Sequence, residues 1–131
     1  MQYHSNEYSE RYKEFCRVFL IAHRQSKHLQ VWSFNSTDDL KPYLEKIEEL
    51  DVKTLLKTRS IPFKGVQLYV DSGAAKIKSG FSEGNIFLPL TSVREAFTKI
   101  VDNPRSNTFY IPHSKEELAS YLKHFPKSVS I

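Results

Sequence analysis

Apolar residues near the start of the chain recur at helical spacing. Five of them fall three or four positions apart: Tyr8, Tyr12, Phe15, Phe19 and Ala22. This spacing predicts a long N-terminal helix from about residue 5 to the mid-twenties, because residues so spaced share one helical face. A second interpretation stays open, since residues 18–22 also fit a buried strand that pairs with residues 29–34 as a hairpin. Periodicity does not decide between the two for so short an apolar run.

A strand and then a helix are predicted in the next part of the chain. Residues 30–34 form the strand, because aromatic and β-branched side chains dominate there. The helix follows from a second apolar stripe, formed by Leu40, Tyr43, Leu44, Ile47 and Leu50. Pro42 is tolerated only in a first turn, so this helix should begin close to Asp39 and extend towards residue 58. Residues 59–62 should end it.

The chain is organised around residues 63–101, where three short strands precede a helix. Period-two patterns place the strands at 66–70, 75–79 and 86–90; in the third, Ile86, Leu88 and Leu90 alternate with Phe87 and Pro89. Pro89 cannot donate a hydrogen bond to a neighbouring strand. The third strand is therefore expected at a sheet edge, or to end at this proline.

The helix of this central unit has the clearest start. Ser92 and Glu95 fit a capping box, in which each side chain accepts a hydrogen bond from a free backbone amide. One apolar stripe follows: Val93, Ala96, Phe97, Ile100 and Val101. We expect this stripe to cover the apolar rows of the neighbouring strands. Five side chains should then remain on the opposite face of the sheet: Gln67, Tyr69, Lys76, Lys78 and Phe87.

The last part of the chain repeats the order of strand, cap and helix. Residues 108–111 predict a strand, and residues 114–117 (SKEE) fit a second capping box. One apolar stripe marks the helix: Leu118, Tyr121, Leu122 and Phe125. Pro126 should stop this helix, and the final five residues are expected to fray.

Together these elements indicate an α+β fold. The expected architecture is a long N-terminal helix plus a mixed or antiparallel sheet, with helices packed on one face. The 131 residues are expected to form a single globular domain, residues 1–131, around the central unit. A chain of this length can bury a sufficient core without disulfides or a metal ion.

The composition argues against several kinds of chemistry. The single cysteine, Cys16, cannot form an internal disulfide, and the five histidines do not show the spacing of a metal site. No phosphate-loop or dinucleotide-binding glycine pattern occurs. No apolar run approaches the length of a membrane span, and the N-terminus lacks an apolar signal region. We therefore expect a non-catalytic, cytoplasmic protein without metal or cofactor.

Positive charge is concentrated around the central unit. Residues 52–105 carry nine Lys and Arg against four Asp and Glu, a net charge of +5, whereas the whole chain carries +4. Basic groups beside exposed aromatic rings suit single-stranded nucleic acid, since ammonium groups meet phosphates and rings stack on bases. The hypothesis assigns this contact to five residues: Lys64, Tyr69, Lys76, Lys78 and Phe87.

A protein-binding function is the alternative hypothesis. The chain would then be an interaction adaptor or inhibitor, such as a regulator from a phage or a mobile element. Exposed aromatic side chains, including Trp32 and Tyr110, would insert into pockets of a partner or of a second copy in a homodimer.

Overall fold

A seven-stranded sheet forms the centre of the structure. The computed structural model describes residues 1–33, 36–72, 83–88 and 93–131. The strands in these residues are β1 Gln2–His4, β2 His28–Ser33, β3 Ser60–Phe63, β4 Val66–Asp71, β5 Gly84–Leu88, β6 Asn107–Tyr110 and β7 Val129–Ser130. The α-helices in these residues are α1 Arg11–Gln25, α2 Lys41–Leu44, α3 Val52–Thr58, α4 Val93–Asp102 and α5 Lys115–His124. A 3₁₀ helix, Thr37–Leu40, leads into α2.

The sheet is mixed, and most of its strands are parallel. Its order is β3-β4-β2-β5-β6-β1-β7, and of the described strands only β3 runs antiparallel to its neighbour. The expected α+β class with helices packed on a mixed sheet is confirmed. Parallel neighbours require crossover connections, and α4 supplies one of them between β5 and β6.

Helices lie on both faces of the sheet, rather than on the one face expected. α1, α2 and α3 pack on the face that carries Leu29 and Val31, which we name the α1 face. α4 and α5 pack on the opposite face, the α4 face, against Trp32, Phe87 and Tyr110. A parallel sheet buries both faces because its crossover helices lie on them, and the sequence pattern did not reveal the parallel pairing.

The direction in which the chain crosses the sheet reverses between β2 and β5. The connections from β1 to β2 and from β2 towards β4 lead to the β3 edge, with their helices on the α1 face. The connections from β5 to β6 and from β6 to β7 lead to the β7 edge, with their helices on the α4 face. Ligands of open α/β sheets are commonly bound near the carboxyl ends of the strands at such a reversal.

The open question about residues 18–22 is settled by α1, in which they are helical. Phe15, Val18, Phe19 and Ala22 are all buried against the sheet, as expected for one helical face. The helix has 15 residues and is not especially long. It begins at Arg11, later than expected, and strand β1, which the sequence pattern did not predict, precedes it.

Two short helices replace the single helix expected between β2 and β4. The backbone of Glu49 has a φ of 66° and interrupts the helix before α3, and Arg59 ends α3 with a φ of 69°. A left-handed residue cannot continue a right-handed helix. The segment expected only to break the helix forms the edge strand β3, where Pro62 is tolerated because an edge strand has one unpaired side.

Within the central unit, β4 and α4 confirm two predicted elements, but α4 packs on the unexpected face. The apolar stripe of α4 packs on the α4 face through Ala96, Phe97 and Ile100. We expected it to cover the opposite face, which carries Val66 and Leu68. The strand expected either at a sheet edge or to end at its proline is β5, Gly84–Leu88, and it lies in the middle of the sheet. The strand predicted at 75–79, Pro89 and the capping residue Ser92 lie outside the described residues.

The C-terminal residues form a strand instead of fraying. β7 pairs in parallel with β1. The backbone amide of Ile131 donates to the carbonyl oxygen of His4 at 3.0 Å, and Arg17 Nη2 donates to the carbonyl oxygen of Ile131 at 2.7 Å. These hydrogen bonds stabilise the end of the chain against β1 and α1, which short-range sequence patterns could not predict.

Candidate binding face

Of the residues predicted to bind nucleic acid, the three that the structure describes, Lys64, Tyr69 and Phe87, do not form one surface. Tyr69 lies in β4 and is partly buried on the α4 face. Phe87 lies in β5 on the same face, but it is fully buried and stacks on Trp32 with ring centroids 6.0 Å apart. Since α4 packs against both of these rings, Phe87 belongs to the core and cannot stack on a surface-bound base.

Of the three predicted lysines, the structure describes Lys64, which does not lie beside Tyr69. Lys64 lies in the turn between β3 and β4, with its Nζ 3.3 Å from the Glu49 carboxylate and 5.4 Å from the centroid of the Phe63 ring. It lines a groove beside α1, so it belongs to the α1 face. Lys76 and Lys78 lie outside the described residues.

The two aromatic anchors of the alternative hypothesis are both fully buried. Trp32 Nε1 donates a hydrogen bond to Asn85 Oδ1 at 3.0 Å, and the Tyr110 hydroxyl donates to the Glu117 carboxylate at 2.6 Å. Buried Trp and Tyr need such partners for their polar atoms. Neither ring is available to a protein partner, because α4 and α5 cover the face on which they lie.

A different set of polar side chains is brought together on the α4 face by β2, β4 and β5. We name this set the polar face: His28, Gln30, Gln67, Tyr69, Asp71 and Asn85. The strand register places His28 opposite Gln67, and it places Gln30 between Tyr69 and Asn85. Paired residues of neighbouring strands point to the same side of a sheet, so these side chains form continuous rows.

The polar face contains a pair of aromatic rings. The rings of His28 and Tyr69 are inclined by only 26°, with centroids 6.1 Å apart, and His28 Nδ1 forms a 3.2 Å hydrogen bond with the Tyr69 hydroxyl. Next to the rings, the Gln30 amide donates to the Asp71 carboxylate, and the Gln67 amide donates to Ser60 Oγ at 2.6 Å. Rings and side-chain amides are the groups with which proteins hold unpaired bases.

Charged groups lie at the margins of the polar face. Lys27 is exposed and directly precedes His28, and Lys99 of α4 places its Nζ 4.9 Å from the centroid of the Trp32 ring. The Glu83 carboxylate accepts a 3.5 Å hydrogen bond from the backbone amide of Lys27. The rings and amides are therefore flanked by two positive charges, those of Lys27 and Lys99, and by the carboxylate of Glu83.

Asn85 holds an unusual position in the polar face because it is fully buried. Its Oδ1 accepts the hydrogen bond from Trp32, whereas its Nδ2 has no hydrogen-bond partner in the part of the chain that the structure describes. Nearly all buried polar atoms of proteins are paired, so an unpaired amide requires an explanation.

A second concave surface lies on the α1 face, between α1 and the turn that joins β3 to β4. This groove has a volume of about 330 Å³, and its lining includes Cys16, Phe19, Leu20, His23, Ile47 and Phe63. Leu20 is 54% exposed at the groove. Burial raises the pKa of the Cys16 thiol, only partly offset by Lys46, so the thiol is not an activated nucleophile.

A buried polar cluster lies at the end of β6. The Glu117 carboxylate accepts hydrogen bonds from the Tyr110 hydroxyl and from the His113 backbone amide, the latter at 3.0 Å. Burial raises the pKa of Tyr110 strongly, and the neighbouring Glu117 adds to this. The phenol therefore stays neutral around pH 7.

Sequence patterns placed Gln67 and Tyr69 on this side of the sheet and missed the rest of the polar face. His28 and Gln30 alternate with Leu29 and Val31, so starting the predicted strand two residues earlier would have placed them on one face. Asn85 directly precedes the predicted third strand. Whether the Asn85 amide finds a hydrogen-bond partner depends on residues far along the chain. No local sequence pattern could therefore indicate that it is unpaired.

Comparison with known proteins adds no functional information. No family model matches the chain, and no curated protein or solved structure is significantly similar to it. Among the described residues, no group of three or more His, Cys, Asp or Glu could hold a metal ion. In the same residues, no helix combines the length and the apolar character needed to cross a membrane. Function is therefore inferred from the chemistry of the polar face and the groove.

Proposed function

We propose that the protein is a small, non-catalytic binding protein that holds single-stranded nucleic acid on the polar face. The observation that carries this proposal is the His28–Tyr69 ring pair beside the partly buried side-chain amide of Gln67. Gln30, between them and Asn85 in the register, is only 1% exposed and supports the rings from within. Every base offers a flat surface for stacking, and amides can donate to and accept from base edges. Both rings are only partly buried.

The proposed contact set differs from the one expected from the sequence. Tyr69 remains as a stacking residue, while Phe87 and Lys64 are removed because of their positions. Lys27 and Lys99 enter as phosphate contacts because they flank the face. The proposal also keeps the sequence-based assignment of positions 76 and 78, because their positive charges would neutralise phosphates.

The stacking contact is tested by Tyr69→Ala. We expect this change to weaken binding of a labelled oligonucleotide of about 15 nucleotides by roughly 1–3 kcal/mol, because one base loses its aromatic partner. The slope of log affinity against log salt should stay nearly unchanged, since no charge is removed. Fluorescence anisotropy across a salt series measures both quantities.

Tyr12→Ala is the matched control for this test. Tyr12 is 46% exposed on α1, on the other side of the sheet, so its removal should leave binding unchanged. Equal losses in the two variants would contradict a specific stacking contact. Absence of any binding by the unmodified protein at about 50 mM salt, where phosphate contacts are strong, would refute the nucleic-acid proposal.

The charge contribution is measured separately with Lys76→Ala/Lys78→Ala. Loss of two phosphate contacts should reduce the salt slope by about 1.4, because each contact on a single strand contributes about 0.7. Lys53→Ala/Lys57→Ala is the control, since both lysines are exposed on α3. An equal change of slope in the control would indicate general charge attraction without a defined site.

Self-association through the α1 face is the second proposal, and it deepens the protein-binding alternative. Leu20 is exposed at the apolar groove, so the side chain that would insert and the groove that would receive it lie on the same surface. Two copies related by a two-fold axis could then each insert Leu20 into the groove of the other, as isologous dimers require. This geometry favours a second copy of the chain as the occupant.

A further inference from the structure

Arg11 carries a positive charge that no negative group among the described residues compensates. Its Nε donates to the Tyr43 hydroxyl at 3.1 Å and its Nη1 to the carbonyl oxygen of Ile111 at 3.3 Å, whereas Nη2 is buried without a partner. Neither acceptor carries a charge, and no carboxylate of the described residues lies within 4.0 Å of the guanidinium nitrogens. Arginine stays charged at every ordinary pH, so an uncompensated guanidinium in a partly buried position is costly.

The two glutamates that are buried in the described structure have other partners. Glu14 forms an ion pair with Arg17, and the Glu117 carboxylate accepts a hydrogen bond from the Tyr110 hydroxyl. The charge of Arg11 lowers the pKa of Tyr110, although burial and Glu117 raise this pKa more strongly. The guanidinium therefore lies near the Tyr110–Glu117 pair without joining it.

Arg11 lines a concave surface at the start of α1 that reaches the solvent. This concavity has a volume of about 470 Å³, and Glu10, Lys13 and Tyr43 also line it. Glu10 and Lys13 are exposed, so a small molecule can enter without any opening of the core. Glu10 directly precedes α1, and its side chain makes no capping hydrogen bond, so the first amides of this 15-residue helix lack a side-chain acceptor. The positive end of the helix dipole adds to the charge of Arg11.

Two hydrogen-bond donors converge at this concavity. A guanidinium holds Nε–H and one Nη2–H side by side along one planar edge, so the free Nη2 hydrogen points to the side on which the Tyr43 hydroxyl lies. The Tyr43 oxygen accepts from Nε, and its own proton has no acceptor among the described residues. One oxygen atom placed beside them could accept from both groups.

Lys13 supplies a second positive charge at the rim of the concavity. Its Nζ lies 3.8 Å from the Glu10 carboxylate, and both side chains are mostly exposed. Exposed ion pairs of this kind are weak, so the ammonium group can turn towards a bound anion. Glu10 is the one negative charge in the described lining, and it should weaken anion binding without preventing it.

We propose that this concavity binds the phosphate group of a small phosphate monoester. Arg11 Nη2 and the Tyr43 hydroxyl donate to the phosphate oxygens, and Lys13 lies beside them. A phosphate monoester carries close to two negative charges near pH 7, which match those of Arg11 and Lys13, whereas a carboxylate carries one. Ile111 directly follows β6, so the site lies at the carboxyl end of a parallel strand, where open α/β sheets commonly bind ligands.

The proposed phosphate site is independent of the polar face. Ile111 and Tyr43 belong to the core of the α1 face, and the rings and amides of the polar face lie on the other side of the sheet. Failure of one proposal therefore leaves the other standing.

Calorimetric titration with inorganic phosphate at constant ionic strength provides the first test. We expect saturable binding to the wild type and weaker binding of acetate, which has one charge fewer. Binding should also raise the melting temperature, because phosphate binds only the folded protein. Absence of saturable phosphate binding would overturn the site, and acetate binding of equal strength would overturn the assignment to phosphate.

Arg11→Met is the decisive variant. We expect it to bind phosphate at least about tenfold more weakly, the equivalent of one charge-assisted hydrogen bond. Arg24→Met removes an exposed arginine from the last turn of the same helix and should keep the affinity. Equal losses in the two variants would show general charge attraction and contradict a defined site.

Two further variants keep the guanidinium in place and decide the question if Arg11→Met does not fold. Tyr43→Phe keeps the ring and removes the hydroxyl donor, so phosphate binding should weaken about tenfold. Glu10→Gln removes the negative charge from the rim, so phosphate should bind more tightly than to the wild type. Unchanged phosphate affinity in both variants would place the anion elsewhere and overturn the proposal.

Discussion

At the scale of single residues, Phe97 joins two helices to the sheet. Its ring contacts Tyr110 of β6 and both Tyr121 and Phe125 beside it, with centroid distances between 5.6 and 6.0 Å. Only 8% of the residue is exposed. Aromatic contacts of this kind add to the free energy gained from burial, so Phe97 is a major contributor to the α4 face.

We expect Phe97→Ala to lower the free energy of unfolding by about 3–5 kcal/mol, because a cavity replaces the ring. Urea denaturation measures the change. Val101→Ala on the same helix is the control, since Val101 is 64% exposed and its truncation should cost less than about 0.5 kcal/mol. A loss below about 1 kcal/mol for Phe97→Ala would contradict its place in the core.

At the scale of elements, α5 begins with a defined cap. Ser114 has extended backbone angles, and its Oγ accepts the backbone amide of Glu117 at 3.1 Å. Glu116 and Glu117 lie in the first turn and Lys123 in the last, which suits the helix dipole. The cap and the charges are local, and the sequence therefore predicted the start of α5 correctly.

Removing this cap should destabilise the protein moderately. Ser114→Ala is expected to cost about 1 kcal/mol, because one amide at the helix start loses its acceptor. Ser114→Asp should restore most of this, since aspartate also caps helices well. Ser120→Ala in the middle of α5 is the control and should be neutral or slightly stabilising. Equal thermal melting of Ser114→Ala and the wild type would show that the cap contributes nothing.

At the scale of the whole molecule, the two faces of the sheet carry different candidate surfaces. The α4 face has rings, amides and a buried orphan donor, and the α1 face has an apolar groove with an exposed leucine. The reversal of chain direction between β2 and β5 separates the helices of the two faces. Nucleic-acid binding and self-association can therefore be disturbed independently.

Self-association predicts a dimer in light scattering at concentrations where Leu20→Asp is monomeric. A charge at Leu20 opposes burial in the partner's groove, while an exposed position tolerates it in the monomer. Val101→Asp places the same charge at an exposed residue of α4 and should leave the mass unchanged. A wild type that stays monomeric at every concentration contradicts the dimer and leaves nucleic-acid binding as the remaining proposal.

The sequence by itself determined the elements whose signals are local. Period-two alternation identified β4, helical stripes identified α1, α4 and α5, and Ser114 marked the start of its helix. Of the candidate binding face, Gln67 and Tyr69 were identified in this way. These signals suffice because helical faces, caps and strand faces depend on residues a few positions apart.

Only the tertiary structure decided which of these faces are covered. Trp32 pairs with Phe87 in the sheet although they are far apart in the chain, and this parallel pairing brings α4 over both. The same pairing sets Asn85 beside Gln30 and leaves its amide without an acceptor. Strand order depends on how all the helices pack against the sheet. The residue pattern of one strand does not predict which strands will lie beside it.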